Sequence, residues 1–168
     1  MQERANRKDK VETLLADWRR ERPELDAQPM AIVGRVLSLG RRLEARANQA
    51  LKSLGLHYTD LDVLATLRRN GKPYRLTPTE LRDSVLITSG AMTACLDRLE
   101  AAGLIARHDN PDDRRSTSAG LTAAGRALID RAIVIRFAEA AEAVSGLSAR
   151  ERTALAGLLK KLGRGLET

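Results

Sequence analysis

Aromatic residues are scarce in this 168-residue chain: one Trp, two Tyr and one Phe, 2% of the whole. With 43% hydrophobic residues, its core must come from Leu, Ala, Ile and Val, a palette that favours packed helices over sheets. A single cysteine, Cys95, excludes an internal disulfide. The two histidines, His57 and His108, stand far apart without metal-ligand companions, so no metal site is expected. No apolar run approaches the roughly 20 residues that a membrane-spanning helix needs. The opening "MQERANRKDK" has no apolar region behind its charges, so no secretory signal is expected. These absences point to a cytoplasmic protein. There is also no G-x-G-x-x-G, P-loop, H-E-x-x-H or C-x-x-C, and no persuasive nucleophile–base set. No catalytic residue is assigned, no cofactor is implied, and an enzyme is not expected.

What is present is positive charge. The formal net charge is +7 and the isoelectric point about 10.2. A basic surface looks for an anionic partner, nucleic acid first and anionic membrane second. At this length a single domain over residues 1–168 is expected.

Periodicity and capping chemistry divide the chain into a run of helices. In "KVETLLADWRRE", Val11, Leu14, Leu15 and Trp18 share one face, and Pro23 sets a stop near Arg22. "ELDAQP" reads as a linker. Apolar residues at spacings of three and four predict a long helix from Met30 to Leu54, closed by Gly55. Thr59 is the expected N-cap of a helix over Asp60–Arg69, "NGKP" a turn, and Tyr74–Leu76 a short edge strand. In "TPTE", Thr77 caps, Pro78 starts a helix running to about Val85, and Glu80 completes a capping box. A turn over Leu86–Ser89 then leads to a helix over Gly90–Ala102, stopped by Gly103. "LIARH" and "STSAGL" are expected strands on either side of a charged tip, "NPDDRRS". Thr122 caps a long helix to about Val144, and "SARE" opens the last one, which carries Leu155, Leu158, Leu159 and Leu162.

Two short helices joined by a tight turn, followed by a hairpin, make a winged helix-turn-helix. The expected fold is mainly α: a winged helix-turn-helix lobe with a small β-wing over residues 58–121, framed by N-terminal (8–54) and C-terminal (122–168) helices.

The stretch "LTPTELRDSVLITSGAMTACLDRLEAAGLIARHDNPDDRRSTSAGLTAAGRAL" resembles the MarR family of winged-helix transcription regulators. That family's wing pattern, D-P-x-D-R-R followed by L-T-x-x-G, stands here as "NPDDRRSTSAGLTAAG", with Asn110 in place of the leading acid. The resemblance implies a homodimer on double-stranded DNA, in which terminal helices intertwine and two recognition helices enter successive major grooves. "LLADWRRERPELD" is similar to the branch that includes urate-responsive regulators, whose effectors bind between the dimerisation helices and the DNA-binding lobe.

On the second helix of the motif, Gly90, Thr93, Ala94, Asp97, Arg98 and Ala101 share one face, and Met92, Cys95, Leu96, Leu99 and Ala102 the other. The first face is expected to meet DNA, with Ser89, Thr93 and Arg98 as donors and Gly90 and Ala91 allowing close approach. Ala94 stands where many relatives carry an arginine or asparagine, which shifts weight from base reading to the wing and DNA shape. Of the wing arginines, one is expected to pair with Asp112 and the other to enter the minor groove; Arg114 is assigned the groove ahead of Arg115. Arg68, Arg69, Lys72 and Arg75 either touch phosphate or form a solvated basic face.

The candidate effector residues are Trp18, Met30, Asp62 and Cys95. Trp18 either packs at a helix junction or lines a pocket. Asp62 stands where the urate-responsive branch has an effector-linked acid; otherwise it is the third-position partner of a Thr59 cap. Cys95 stands where that branch carries an arginine, so a small aromatic or amphipathic effector is expected and urate-like anions should bind poorly. Its inward position otherwise suits a small buried hydrophobe more than an oxidant sensor. The competing reading is a basic amphipathic module for an anionic membrane or protein partner, suggested by "IDRAIVIRFAEAAEAV".

Overall fold

A computed structural model describes residues 9–85, 89–110 and 113–166, and of these only the backbone for 89–91, 109–110 and 113–116. The chain groups into two compact units, Met1–Ala45 and Arg46–Thr168.

The first unit holds α1 (Lys10–Glu21) and most of α2 (Gln28–Leu51). Asp9 caps α1 by accepting the Val11 N–H at 3.0 Å, and a chain turn at Arg22, ahead of Pro23, ends it. Gly34 lets the two helices meet closely, since a Cβ there would stand 3.2 Å from Val11 Cγ1. Helix α2 begins two residues before the expected Met30, because the Asp26 carboxylate accepts the Gln28 N–H at 2.9 Å and Pro29 fits a first turn. It ends at Leu51, and a short 3-10 turn, Lys52–Leu54, leads to Gly55 at φ 67°. The last three residues of the expected helix are thus wound more tightly, a common way to finish a helix.

The second unit contains α3 (Tyr58–Arg69), β1 (Arg75–Leu76), α4 (Pro78–Ser84), α5 (Ser89–Ala101), β2 (Ile105–Asn110), β3 (Asp113–Leu121), α6 (Ala123–Ala143) and α7 (Ala149–Arg164). The three strands form one antiparallel sheet in the order β1-β3-β2. Leu64, Leu67, Leu81, Leu99, Ile105 and Ile129 are among its fully buried side chains, so α3 to α6 and the sheet close on one leucine-rich core.

Several expected boundaries move. Helix α3 starts at Tyr58 rather than Asp60, and its N-cap is His57, not Thr59. The reason is Asp60, whose carboxylate reaches back to accept the His57 N–H at 2.9 Å. This also removes Asp62 from the third-position role. Tyr74 is not in a strand: its φ of 60° is left-handed, and its N–H donates to Gly71 O at 2.7 Å to close a turn. Helix α5 begins one residue earlier than expected, at Ser89, and the rest of the expected turn, residues 86–88, lies outside the described residues. Ala102 is exposed beyond its end rather than packed inward.

The strands of the wing are longer than expected. Their ladder continues to the pair Asn110–Asp113, with an irregularity between Asp109 and Asn110. Arg114 and Arg115 therefore belong to β3 instead of the tip, because a ladder needs only backbone N–H and C=O groups and charged residues do not interrupt it.

The capping boxes at Thr77/Glu80 and Ser148/Glu151 form as expected. In each, hydrogen bonds from the capping residue hold the glutamate below the usual carboxylate range. Thr122 caps α6 by accepting the Gly125 N–H at 3.0 Å, while its hydroxyl donates to Gly103 O at 2.8 Å. Gly125 is needed there: a Cβ would come within 1.9 Å of the Leu104 carbonyl oxygen.

Candidate nucleic-acid interface

Helix α5 divides as its sequence pattern requires. Met92, Cys95, Leu96 and Leu99 are at most 6% exposed, whereas Thr93, Ala94, Asp97 and Arg98 face outward. The side chains of Ser89, Gly90 and Ala91 lie outside the described residues; their backbone forms the first turn of the helix. The side chains of Arg114 and Arg115, the whole of Pro111 and Asp112, and hence the expected Asp112 ion pair, also lie outside them.

Two contacts fix α5, and neither was anticipated from the sequence. Asp60, only 2% exposed, stands under the helix. Its Oδ1 accepts from Arg98 Nε at 3.1 Å and Nη2 at 2.5 Å, and from the Cys95 thiol at 3.3 Å, while Oδ2 holds the start of α3. One carboxylate thus ties the beginning of one helix to the end of another. The hydrogen bonds to Asp60 raise the Arg98 guanidinium above its ordinary value. Burial, and then the Asp60 carboxylate, push the Cys95 thiol up to about 12. A buried thiol with such a value is protonated and unreactive at neutral pH. The second contact is Arg107 of β2, which pairs with Asp97 and, at 3.2 Å, with Glu100, so the wing is braced against α5.

The basic residues before the motif differ among themselves. Arg68 pairs with Asp130 at 2.7 Å and lies over the Tyr74 ring, and Arg69 donates to the Ser84 carbonyl at 2.6 Å. Lys72 and Arg75 are exposed. Among the expected effector residues, Trp18 and Met30 in the first unit are 56% and 55% exposed. In the second, Asp62 is half-buried, its charge adds to the upward push on Cys95, and Cys95 itself is enclosed.

The stretch that suggested a membrane surface has another use. Within α6, Glu139 is 9% exposed and accepts from Arg46 Nε at 2.8 Å and Arg136 Nη1 at 2.7 Å, and the Arg136 guanidinium lies over the Tyr58 ring. Its acid is a buried fastener between helices. Among the described residues, no helix is long and apolar enough to cross a membrane, and no group of His, Cys, Asp and Glu is arranged to hold a metal.

A signal for Asp60 and Glu139 did exist. Each is an acid on the apolar stripe of its helix, Asp60 one turn before Leu64 and Glu139 two turns after Ala132. A charge at such a position asks for a buried partner. Nothing in the local pattern says which arginine supplies it.

A two-helix motif followed by a braced two-stranded wing is the architecture of winged-helix DNA-binding proteins. The family model described as "MarR family" matches residues 54–116. The HTH-type transcriptional regulator PecS of Dickeya dadantii (strain 3937) is 33% identical over 156 residues, covering 93% of this chain and 94% of PecS. The crystal structure of a mutant MarR from E. coli complexed with operator DNA superposes with a TM-score of 0.71 at 28% identity, over 81% of this chain and 96% of that one. Bordetella bronchiseptica BpsR, whose DNA binding is regulated by 6-hydroxynicotinic acid, gives a TM-score of 0.64 at 26% identity, over 77% and 98%. The chain belongs to the MarR family; it is a helix-turn-helix, DNA-binding transcriptional regulator and not an enzyme.

Proposed function

We propose that the chain acts in the cytoplasm as a homodimeric repressor, bound to a pseudopalindromic operator and released from it by a small aromatic or amphipathic effector. The observation that carries the assembly is α7. It has sixteen residues, a complete leucine stripe and no buried residue; Leu155, Leu158, Leu159 and Leu162 are 37–65% exposed. Val134 and Phe137 of α6 are 67% and 71% exposed. A second copy of the same helices supplies the missing cover, as a two-fold interface does. Two copies of α5 would then meet half-sites about one helical turn apart.

In this reading Ser89, Gly90, Ala91, Thr93 and Ala94 face the major groove, and Arg98 joins that surface from its seat on Asp60. Arg114 is assigned the adjacent minor groove ahead of Arg115, which joins the DNA surface beside it on the wing. Trp18 and Met30 on the N-terminal helices, and Asp62 and Cys95 in the DNA-binding lobe, are the candidate effector residues. The ligand must favour the conformation that does not fit DNA, since equal affinity for both would shift nothing.

Light scattering and DNA footprinting test this together. The expected result is a dimeric mass at micromolar concentration and a footprint with two related half-sites. A monomer, or a single isolated half-site, would refute the arrangement. Urate, a neutral phenol and a planar cation are then titrated against the complex while Trp18 fluorescence is followed. Release by the phenol with a fluorescence change supports the effector reading. Release by urate at low concentration overturns the expectation about anions, and release without a fluorescence change removes Trp18 from the site.

A further inference from the structure

The helix proposed to enter the groove has a single cation. In "SGAMTACLDRLEA" that residue is Arg98, in the last turn, nine positions after Ser89. At 1.5 Å per residue it stands roughly 13 Å up the axis, whereas such a helix meets base edges with its N-terminal residues. Arg98 is also held from the side, with Nε and Nη2 both on Oδ1 of a carboxylate that is 2% exposed. The leading half of α5 carries only Ser89, Gly90, Ala91, Thr93 and Ala94 between its apolar contacts, and Thr93 and Ala94 are exposed. None of these residue types makes the forked contact to guanine O6 and N7 that arginine or lysine makes, or to adenine N6 and N7 that asparagine or glutamine makes. Threonine and alanine each bring a methyl group to a major groove, and its counterpart there is the 5-methyl of thymine; the threonine hydroxyl adds a single hydrogen bond that different bases can take.

We propose that α5 selects its half-site through thymine 5-methyl groups packed against Thr93 and Ala94, and that Arg98 is a positioning residue, holding α5 on α3 through Asp60 rather than reading guanine. This rests on α5 being the groove helix, as proposed above. It makes the Asp60–Arg98 pair, buried on the side of the acid, the part that sets the angle at which two small side chains meet the bases. An arginine reader tolerates small changes of angle because its side chain is long; a methyl contact tolerates them less, since a gap of about 1 Å already forfeits roughly half of the dispersion attraction.

The test uses the full chain and a duplex enriched by it from a random-sequence library. Each thymine is replaced in turn by deoxyuridine, which removes only the methyl, and each guanine by 7-deazaguanine, which removes only the N7 acceptor. At least one thymine per half-site should show a loss of about fourfold on replacement, the weight of one buried methyl group. Thr93→Val keeps the methyl and should keep that discrimination; Thr93→Ser removes it and should flatten the profile at one position. Arg98→Ala, which frees the angle of α5, should weaken binding and shrink the deoxyuridine losses while leaving the 7-deazaguanine profile unchanged, and Arg98→Lys should recover part of both. A flat deoxyuridine profile on an enriched duplex overturns the proposal and leaves DNA binding by this protein standing. So does a 7-deazaguanine loss of about tenfold, the scale of a forked arginine contact, if Arg98→Ala abolishes it. A library that yields no enriched sequence overturns both this proposal and the operator-binding function beneath it.

Discussion

Replacing Asp60 by alanine strikes the point where three parts of the lobe meet. The His57 N–H loses its acceptor, Arg98 loses both hydrogen bonds to carboxylate, and the Cys95 thiol loses its neighbour. Removing one member of a buried charge pair typically costs roughly 3–5 kcal/mol. Here the arginine side chain is 47% exposed and rehydrates when released, which places the expected cost near the lower end. We expect about 3 kcal/mol, equivalent to roughly 6–12 °C in Tm for a chain of this size. Asp60→Asn retains an acceptor for His57 and should cost about half as much. The assay is urea unfolding at one fixed protein concentration, because subunit association adds a concentration-dependent share of stability. A cycle with Arg98→Ala isolates the pair: the double variant should be more stable than additivity allows by about 1.5 kcal/mol or more. A cost below about 1 kcal/mol for Asp60→Ala, or strict additivity in the cycle, would refute the claim that this carboxylate holds α5 in place.

Three other outcomes follow from the same structure. The Cys95 thiol is raised in the fold from 9.0 to about 12, so the folded state keeps a proton that the unfolded chain loses. Its contribution is complete below pH 9 and declines above it, by about 1.4 kcal/mol at pH 10; Cys95→Ala should remove that slope, and an unchanged slope would put its origin elsewhere. Gly125→Ala drives a methyl against the Leu104 carbonyl at 1.9 Å and should destabilise by about 3 kcal/mol in thermal melts, whereas a melt within a degree of the parent would mean that α6 shifts without penalty. Leu158→Glu places a charge on the uncovered stripe of α7 and should weaken the dimer by about a hundredfold, with the helical circular dichroism retained; a dimer of unchanged affinity would remove α7 from the interface.

The local grammar of the chain was readable because capping and glycine stops act within a few residues. Thr77 with Glu80, Ser148 with Glu151, Thr122, and Gly103 at φ 67° stand where hydrogen-bonding chemistry asks for them. The alternation of α5 was readable for the same reason, since one face must be apolar for the helix to pack. The start of α3 was not. Thr59 has the side chain of a cap, yet Asp60 overrides it because its carboxylate serves His57 on one oxygen and Arg98, 38 residues away, on the other. Periodicity says that Asp60 faces inward but not which partner meets it there. Arg98 was read as a donor for DNA on the strength of its outward face; its engagement with Asp60 depends on how α5 crosses α3, which no local pattern encodes. The length of the wing strands was hidden too, because charge in "DDRRS" resembles a loop while backbone pairing is indifferent to it.

The brace between Arg107 and the acids of α5 has a consequence for how this protein searches DNA. With Arg98 neutralised by Asp60, and Asp97 and Glu100 sharing Arg107, the helix and its partners retain one negative charge in excess. If α5 is the groove helix, as proposed, these side chains bring no net positive charge to phosphate. Attraction must come from elsewhere in a chain whose net charge is +7, and it acts on any sequence alike. In the proposed arrangement, general attraction to the duplex and inspection of the bases thus fall to different parts of the molecule. The chain's net positive charge would there hold the protein near any duplex, and α5 would sample base edges with little side-chain attraction to the backbone. Added salt should then shorten the sliding distance far more than it changes the preference among sequences once the protein has stopped.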